Sequence, residues 1–205
     1  RLVFGTFDLA DDSAAPRLLD RFRSGGGRAL DVANVYRDGE AARAAGRWLR
    51  GLASAGGVAV YAKGCHPPRC SPALVGAEVD EGCRLLGLER LDVFILHRDD
   101  PSVPVAAWAD ALLEQVERGR VGAFGVSNWT LARVRELRAH LDGIGADHLV
   151  ALSNHFSLAE MASPPWPGCL AVSKDELSEV ARLDLKLLAW SSLATGFFSG
   201  RQTPH

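Results

Sequence analysis

The run LDVFILH, at residues 91–97, decides the fold class of this sequence. Apolar side chains fill it almost without interruption. Such a run is typical of a strand that is buried on both faces, as strands are in parallel sheets covered by helices. The run therefore predicts a strand of a parallel sheet, and it ends at a histidine, His97.

Strand-like and helix-like patterns alternate on both sides of this run. The other strands are predicted at residues 1–7, 28–33, 58–64, 121–128, 148–154 and 185–192. Helical spacing is found at residues 13–24, 40–53, 72–86, 105–118, 131–141 and 174–182. Strands that alternate with helices across short connections are typical of an α/β fold with a parallel sheet.

Two architectures fit this alternation, a (β/α)₈ barrel of the TIM type and a doubly wound open sheet. The open sheet often carries the fingerprint G-x-G-x-x-G after its first strand, whereas the sequence here is GTFDLADD. We therefore expect the barrel, in an incomplete form of seven strands that lacks the last helix, strand and helix. We expect one barrel domain over residues 1–205, and, because no initiator Met is present, a missing N-terminal piece.

The composition excludes several classes of protein. The 205 residues are 47% hydrophobic and 23% charged, with a formal net charge of −2, which is ordinary for a soluble globular protein. Because Lys and Arg form no runs, we expect no nucleic-acid partner and no anionic membrane surface. No apolar run approaches the ~20 residues of a membrane helix, and we expect no signal peptide. The four cysteines match no zinc spacing, so we expect reduced thiols, no metal and a cytoplasmic location.

Polar residues stand where three neighbouring predicted strands end. Asp31 ends the second strand, with Tyr36 in the loop beyond it, and Lys63 and His97 end the next two. In a barrel these side chains would converge at the C-terminal rim, where the active site is built. A lysine ammonium lowers the pKa of a nearby phenol, and an aspartate keeps that lysine charged. This set could pass a proton to a carbonyl oxygen while a hydride reaches its carbon.

Five motifs in order resemble those of the aldo-keto reductase family, and the resemblance covers the chain from Gly5 to Gly200. The motifs are LDVANVYRDGEAARAAGRWL (30–49), YAKG (61–64), LDVFILHRDDP (91–101), GVSNWT (125–130) and LLAWSSLATGFFSG (187–200). The resemblance implies a (β/α)₈ barrel that binds NADPH (NADP⁺ when oxidised) across its rim and reduces aldehydes and ketones to alcohols without a metal.

The resemblance also assigns roles to residues. It implies that Tyr36 is the proton donor, that Lys63 and Asp31 tune its acidity, and that His97 orients the carbonyl. It implies a nicotinamide held by Ser127 and Asn128 and stacked on Trp190. The full cofactor set that it implies is Thr6, Asp31, Ser127, Asn128, Ser153, Trp190, Ser191, Leu193, Thr195 and Gly196.

The sequence departs from the family pattern at several positions. Ser153 stands where the family has Gln, Trp190 where it usually has Tyr, Arg37 where it has Gly and Arg43 where it has Glu. The segment that grips the adenosine 2′-phosphate is absent, so NADH is not excluded as the cofactor. An incomplete barrel would also expose strand edges through which copies could associate.

Other readings of the same residues stay open at this point. Ser127 and Asn128 could cap the next helix, Trp190 could fill the core, and the loop PPWPG at 164–168 could line a substrate pocket or be a rigid connection. The whole chain could be a reductase of small carbonyl substrates, a non-catalytic nicotinamide-binding regulatory module, or an inactive truncated fragment.

Overall fold

Seven parallel strands form one curled sheet in this computed structural model, which describes residues 2–10, 14–52 and 57–201. The strands are β1 (Phe4–Gly5), β2 (Ala29–Ala33), β3 (Ala59–Gly64), β4 (Leu91–Leu96), β5 (Val121–Ser127), β6 (Leu149–Ser153) and β7 (Lys186–Leu187). Each strand pairs with the next one along the chain. This sequential order confirms a barrel-type sheet, because a doubly wound sheet reverses its strand order at a switch point.

In the part of the chain that the structure describes, six α-helices alternate with the strands, as predicted. They are α1 (Ala14–Ser24), α2 (Glu40–Gly51), α3 (Val75–Leu86), α4 (Val105–Glu117), α5 (Leu131–Gly143) and α6 (Leu177–Arg182). Short 3₁₀ segments cover Tyr36–Gly39, Pro72–Leu74 and Ala194–Ser199. The predicted helix at 72–86 therefore begins with a 3₁₀ turn, and the one at 174–182 becomes a true α-helix only at Leu177. Arg1, Ser13 and Ala53, at the ends of predicted elements, lie outside the described residues.

The first and last strands are much shorter than predicted. β7 covers two residues rather than 185–192, and β1 also covers two. Beyond β7, Trp190 makes only an isolated bridge to His155, and Ser191 adopts a left-handed φ of 50° that ends extended backbone. Within the described residues each of these strands pairs along one side only, so fewer ladder hydrogen bonds hold it straight.

The register brings the carboxyl ends of the strands to one level. Lys63 on β3 is level with Ala33 on β2 and Ile95 on β4, and Ser127 on β5 is level with Ser153 on β6. Polar side chains at these ends therefore lie on one rim of the sheet, as in a barrel.

Helices cover the outer face of the sheet and seal its core. Trp108 on α4 and Trp129 beyond β5 are fully buried, with ring centroids 6.4 Å apart at an edge-to-face angle. Gly46 allows α2 to approach α3, because a β-carbon at this position would overlap the backbone of Leu86. No helix among the described residues is long and apolar enough to cross a membrane.

Candidate active site

The centre of the site is a buried lysine between an aspartate and a tyrosine. Lys63 Nζ donates a hydrogen bond to Asp31 Oδ2 at 2.7 Å and lies 3.4 Å from the Tyr36 hydroxyl. Lys63 is only 2% exposed. Asp31 lies within β2, two residues before its end, so its side chain reaches the rim from inside the strand. Parallel pairing of β2 with β3 holds the carboxylate and the ammonium together.

A sharp turn after β2 places Tyr36 at the rim. The chain passes through left-handed conformations at Arg37 (φ 50°), Asp38 (φ 54°) and Gly39 (φ 81°) before α2 begins. For a residue with a side chain this conformation costs roughly 1–2 kcal/mol. Arg37, which replaces the glycine of the family motif, therefore adopts a conformation that glycine would reach without cost. The turn leaves Tyr36 half-buried beside Lys63.

His97 closes the other side of this group. Its ring meets that of Tyr36 edge-to-face at 5.7 Å between centroids, and the His66 ring lies 5.0 Å away on another side. Burial lowers the pKa of His97 well below its usual value, and the positive charges of Lys63 and Arg98 lower it further. Its imidazole is therefore neutral at neutral pH and can donate one N–H. Nδ1 has no hydrogen-bond partner among the described residues.

The charge states within the group differ from the sequence prediction at one point. Burial raises the pKa of Tyr36, and this effect outweighs the lowering by Lys63. The expectation of an acidified phenol is therefore wrong for the protein alone, and Tyr36 carries its proton at neutral pH. Burial also acts to lower the pKa of Lys63, but Asp31 and Tyr36 together raise it above its ordinary value, so the ammonium stays charged.

Ser127 and Asn128 are held by the protein itself. Ser127 Oγ donates to the Ser153 carbonyl at 2.6 Å and accepts from Asn128 Nδ2 at 2.9 Å. The Asn128 side chain also donates to the His97 carbonyl at 3.3 Å and accepts from the Leu170 amide at 3.1 Å. This asparagine therefore ties His97 to the loop after β6.

The helix cap is a different residue from the pair considered in the sequence. Thr130 precedes α5, and its hydroxyl accepts from the Arg133 amide at 3.3 Å. The reading of Ser127 and Asn128 as a simple cap is therefore wrong.

Like His97 Nδ1, polar atoms of Ser153 and Trp190 at the rim have no hydrogen-bond partner among the described residues. Ser153, which is 1% exposed, has no hydrogen-bond partner for its hydroxyl there, and the same holds for Trp190 Nε1. The Trp190 ring meets that of His155 edge-to-face at 5.0 Å. Both atoms are buried without a partner among the described residues, whereas the side-chain amide of Asn128 is bonded to Ser127, His97 and Leu170.

The remaining cofactor candidates lie in two places. Thr6, directly after β1, is fully buried, and both its hydroxyl (2.9 Å) and its amide (3.0 Å) donate to the Asp31 carbonyl. Its hydroxyl therefore fixes the backbone of Asp31. The others lie in one loop after β7, in which Thr195 and Gly196 have left-handed φ angles of 53° and 97°. That loop contains Ser191, Leu193, Thr195 and Gly196.

Comparison with known proteins identifies the family. The model of the Aldo/keto reductase family matches residues 1–205. The chain belongs to this family. It is 29% identical over 199 residues to an uncharacterized oxidoreductase of Mycobacterium tuberculosis, a match that covers 97% of this chain and 56% of the relative. It is 28% identical over 197 residues to an aldo-keto reductase of Strobilurus tenacellus, covering 94% and 54% of the two chains. The chain thus spans about half the length of the curated relatives it matches.

Solved structures of aldo/keto reductases share the fold. A crystal structure of aldo-keto reductase from Klebsiella pneumoniae in complex with NADPH aligns with a TM-score of 0.77 at 24% identity, covering 97% of this chain and 65% of that one. Another Klebsiella pneumoniae structure, in complex with NADP and acetate, aligns with a TM-score of 0.74 at 22% identity, covering 95% and 65%. At these identities the likeness concerns the fold.

Aromatic residues that the sequence analysis did not assign to the site form a wall beside Tyr36 of this aldo/keto reductase chain. The Phe7 ring meets the Tyr36 ring edge-to-face at 5.2 Å, and the Trp166 ring lies 5.8 Å from Phe7. Phe7 and Trp166 are each about half exposed. The loop at 164–168 therefore reaches the mouth of the site through Trp166, which favours the pocket reading. A large aromatic residue in the loop directly after β1 could have indicated Phe7, whereas Trp166 lies far beyond the end of β6 and is marked only by its large ring in a proline-rich loop.

No metal site accompanies this group in the described ranges. Within residues 2–10, 14–52 and 57–201, no cluster of three or more His, Cys, Asp or Glu could hold a metal ion.

Proposed function

We propose that this chain carries the active site of an NADPH-dependent reductase that converts aldehydes or ketones to alcohols, with Tyr36 as the proton donor. The observation that carries the proposal is the buried hydrogen-bonded series from Asp31 through Lys63 to Tyr36, at 2.7 and 3.4 Å. Family membership supports the reaction class. The complexes of related aldo-keto reductases with NADPH and with NADP support the cofactor.

The rim residues fit a nicotinamide in part. The unpartnered hydroxyl of Ser153 is suited to the carboxamide, and the ring of Trp190 is suited to stack on the nicotinamide. Ser127 and Asn128 shape this half of the site through their bonds to Ser153 and His97. When bound, NADPH supplies the hydride. We assign the loop of Ser191, Leu193, Thr195 and Gly196 to the pyrophosphate, and Thr6 to the support of Asp31.

The proton transfer follows from the charge states. Burial keeps the Tyr36 hydroxyl protonated at neutral pH, so it can donate to the carbonyl oxygen as negative charge develops there. As the phenolate forms, the Lys63 ammonium stabilises it by a hydrogen bond, and Asp31 holds that ammonium in place. The neutral His97 donates an N–H to the same carbonyl oxygen and so orients it.

The free state of the cysteines supports a location in a reducing compartment. All four cysteines are free thiols, as is usual for cytoplasmic proteins. We propose a cytoplasmic enzyme that acts on small carbonyl compounds and uses no metal.

Aldehyde-dependent oxidation of NADPH by the purified protein tests this function. We expect NADPH absorbance to fall only when a carbonyl compound is present, and Lys63→Met to lose this activity while remaining folded. Saturable NADPH binding without turnover of any aldehyde or ketone would contradict the reductase and favour a nicotinamide-binding regulatory module. Absence of both activities would indicate an inactive fragment.

A further inference from the structure

A buried glutamate on α3 binds both loops that carry the central residues. Glu78 is 3% exposed and stands in the first turn of α3. Its Oε2 accepts hydrogen bonds from Asn34 Nδ2 at 3.0 Å and from the Cys65 amide at 3.1 Å. Its Oε1 accepts from Arg69 Nε, and Arg69 is half exposed. A carboxylate with little access to water is therefore stabilised by three donors from outside its own helix.

The two donors on Oε2 belong to the chain on either side of the candidate active site. Asn34 follows β2 and precedes Tyr36 by two residues, and Cys65 follows Lys63 by two residues. The backbone amide of Asn34 donates to the Lys63 carbonyl at 2.9 Å, so the two loops also contact one another directly. One carboxylate oxygen thus joins the loop that carries Tyr36 to the strand end that carries Lys63.

Packing around Asn34 leaves it little freedom. Its side-chain nitrogen also donates to the Glu78 carbonyl at 2.9 Å. Its Oδ1 lies over Gly82, where a β-carbon would approach to 3.2 Å. The helix therefore presents a flat surface to the asparagine, and Glu78 supplies the acceptor that orients it.

We propose that Glu78 is a positioning residue that sets the distance between the Lys63 ammonium and the Tyr36 hydroxyl by fixing both of their loops to α3. The proposal rests on the proposed function for the roles of Lys63 and Tyr36. Glu78 touches neither reacting atom, so its effect passes through Asn34 and Cys65.

The proposal can be separated from a purely structural role by the titration of Tyr36. The sequence contains two tyrosines, so Tyr61→Phe leaves Tyr36 as its single tyrosine, whose ionisation is followed by ultraviolet difference absorbance. The charged groups that face Tyr36 are Lys63, Asp31 and Arg98. A greater distance between the Lys63 ammonium and Tyr36 raises the pKa of Tyr36. Removal of the negative charge of Glu78 acts in the opposite direction and lowers the pKa of Tyr36.

Two substitutions in this background remove the same charge and differ in their hydrogen bonds. Glu78→Gln keeps an amide oxygen for Asn34 and Cys65, while Arg69 can turn towards solvent. Glu78→Met fills a similar volume and accepts neither bond. We expect Glu78→Met to raise the pKa of Tyr36 by on the order of one unit over Glu78→Gln, as loss of an ionic neighbour does. We expect kcat of Glu78→Met to be about ten- to a hundredfold lower than kcat of Glu78→Gln, with the NADPH dissociation constant unchanged.

Equal Tyr36 pKa values and equal kcat values in the two variants, with only a lower melting temperature for Glu78→Met, would overturn the proposal. If Glu78→Met does not fold, Asn34→Ala decides, because it removes one tie and keeps the carboxylate. A rise in the Tyr36 pKa there supports the proposal, and no rise overturns it. The titration needs no turnover, so an inactive parent protein would contradict the proposed function and still leave Glu78 tested.

Discussion

The ammonium of Lys63 lies 2.7 Å from the carboxylate of Asp31, with the lysine side chain 2% exposed and the aspartate side chain 19% exposed. This pair explains how a lysine stays charged inside the sheet, since burial alone would favour its neutral form. Burial keeps Tyr36 protonated at rest, and in the proposed mechanism the charged Lys63 would stabilise the phenolate that forms when this proton is transferred. Asp31 is therefore the residue on which the charge state of the site depends.

Asp31→Asn should destabilise the protein and lower its activity. Removing one partner leaves Lys63 without its counter-charge in a buried position, and we expect unfolding to become easier by about 2 kcal/mol, discounted for the partial exposure of Asp31. Denaturant titration measures this change. Glu81→Gln is the matched control, because Glu81 pairs with Arg84 at the same 2.7 Å distance on the surface. It should cost less than about 1 kcal/mol. Equal losses would contradict a buried, structural pair.

The stability of the protein should fall on acidification below the usual pKa of histidine, 6.5, because of His97. The folded state lowers the pKa of the His97 imidazole, so the unfolded chain binds the proton more readily. The contribution of the neutral imidazole to stability is therefore complete above pH 6.5 and is lost as the pH falls below that value. His97→Gln should flatten this dependence in denaturant titrations at about pH 5 and pH 7.5. His155→Gln should flatten it less, because the His155 pKa is lowered by burial alone. An unchanged acid limb in His97→Gln would refute the assignment.

Two serines that are level on neighbouring strands should behave oppositely on substitution. Ser153→Ala removes a hydroxyl with no partner among the described residues, so it should leave the melting temperature unchanged and weaken NADPH binding about fivefold, the value of one hydrogen bond. Ser127→Ala removes a hydroxyl that both donates to Ser153 and accepts from Asn128, so it should lower the melting temperature. Calorimetry of unfolding and of NADPH binding measures both effects. Destabilisation by Ser153→Ala with normal NADPH affinity would contradict this division.

NADPH should quench the tryptophan fluorescence of the protein through Trp190. A nicotinamide stacked on this indole would give saturable quenching, and Trp190→Ala should remove most of it. The other four tryptophans of the sequence, Trp48, Trp108, Trp129 and Trp166, supply the fluorescence that remains. Quenching of the same size in wild type and variant would mean that Trp190 does not contact the cofactor.

Local patterns were sufficient to predict much of this fold. The apolar runs of β3 to β6 and the helical spacing of α1 to α5 depend on neighbouring residues, and their bounds agree with the structure to within about three residues. The convergence of Asp31, Lys63 and His97 followed from one rule, that parallel strands bring their carboxyl ends to one rim.

The features that were missed depend on contacts between distant parts of the chain. The hydrogen bond between Asn34 and Glu78 spans 44 positions, and the one between Asn128 and Leu170 spans 42. No local sequence pattern predicts either of these contacts. The raised pKa of Tyr36 was also missed, because it depends on how deeply the ring is buried, which a local pattern does not give. The short β7 reflects left-handed residues such as Ser191 that no glycine marks.

The most direct test of the account is the turnover of Tyr36→Phe measured together with its affinity for NADPH. Because the phenyl ring keeps the packing and loses the proton, we expect carbonyl reduction to fall by about 10²-fold or more with the NADPH dissociation constant nearly unchanged. Tyr61 is the other of the two tyrosines in the sequence, and the control substitution Tyr61→Phe should keep wild-type turnover. Reduction of carbonyl compounds by Tyr36→Phe at the wild-type rate would contradict the assignment of Tyr36 as the proton donor.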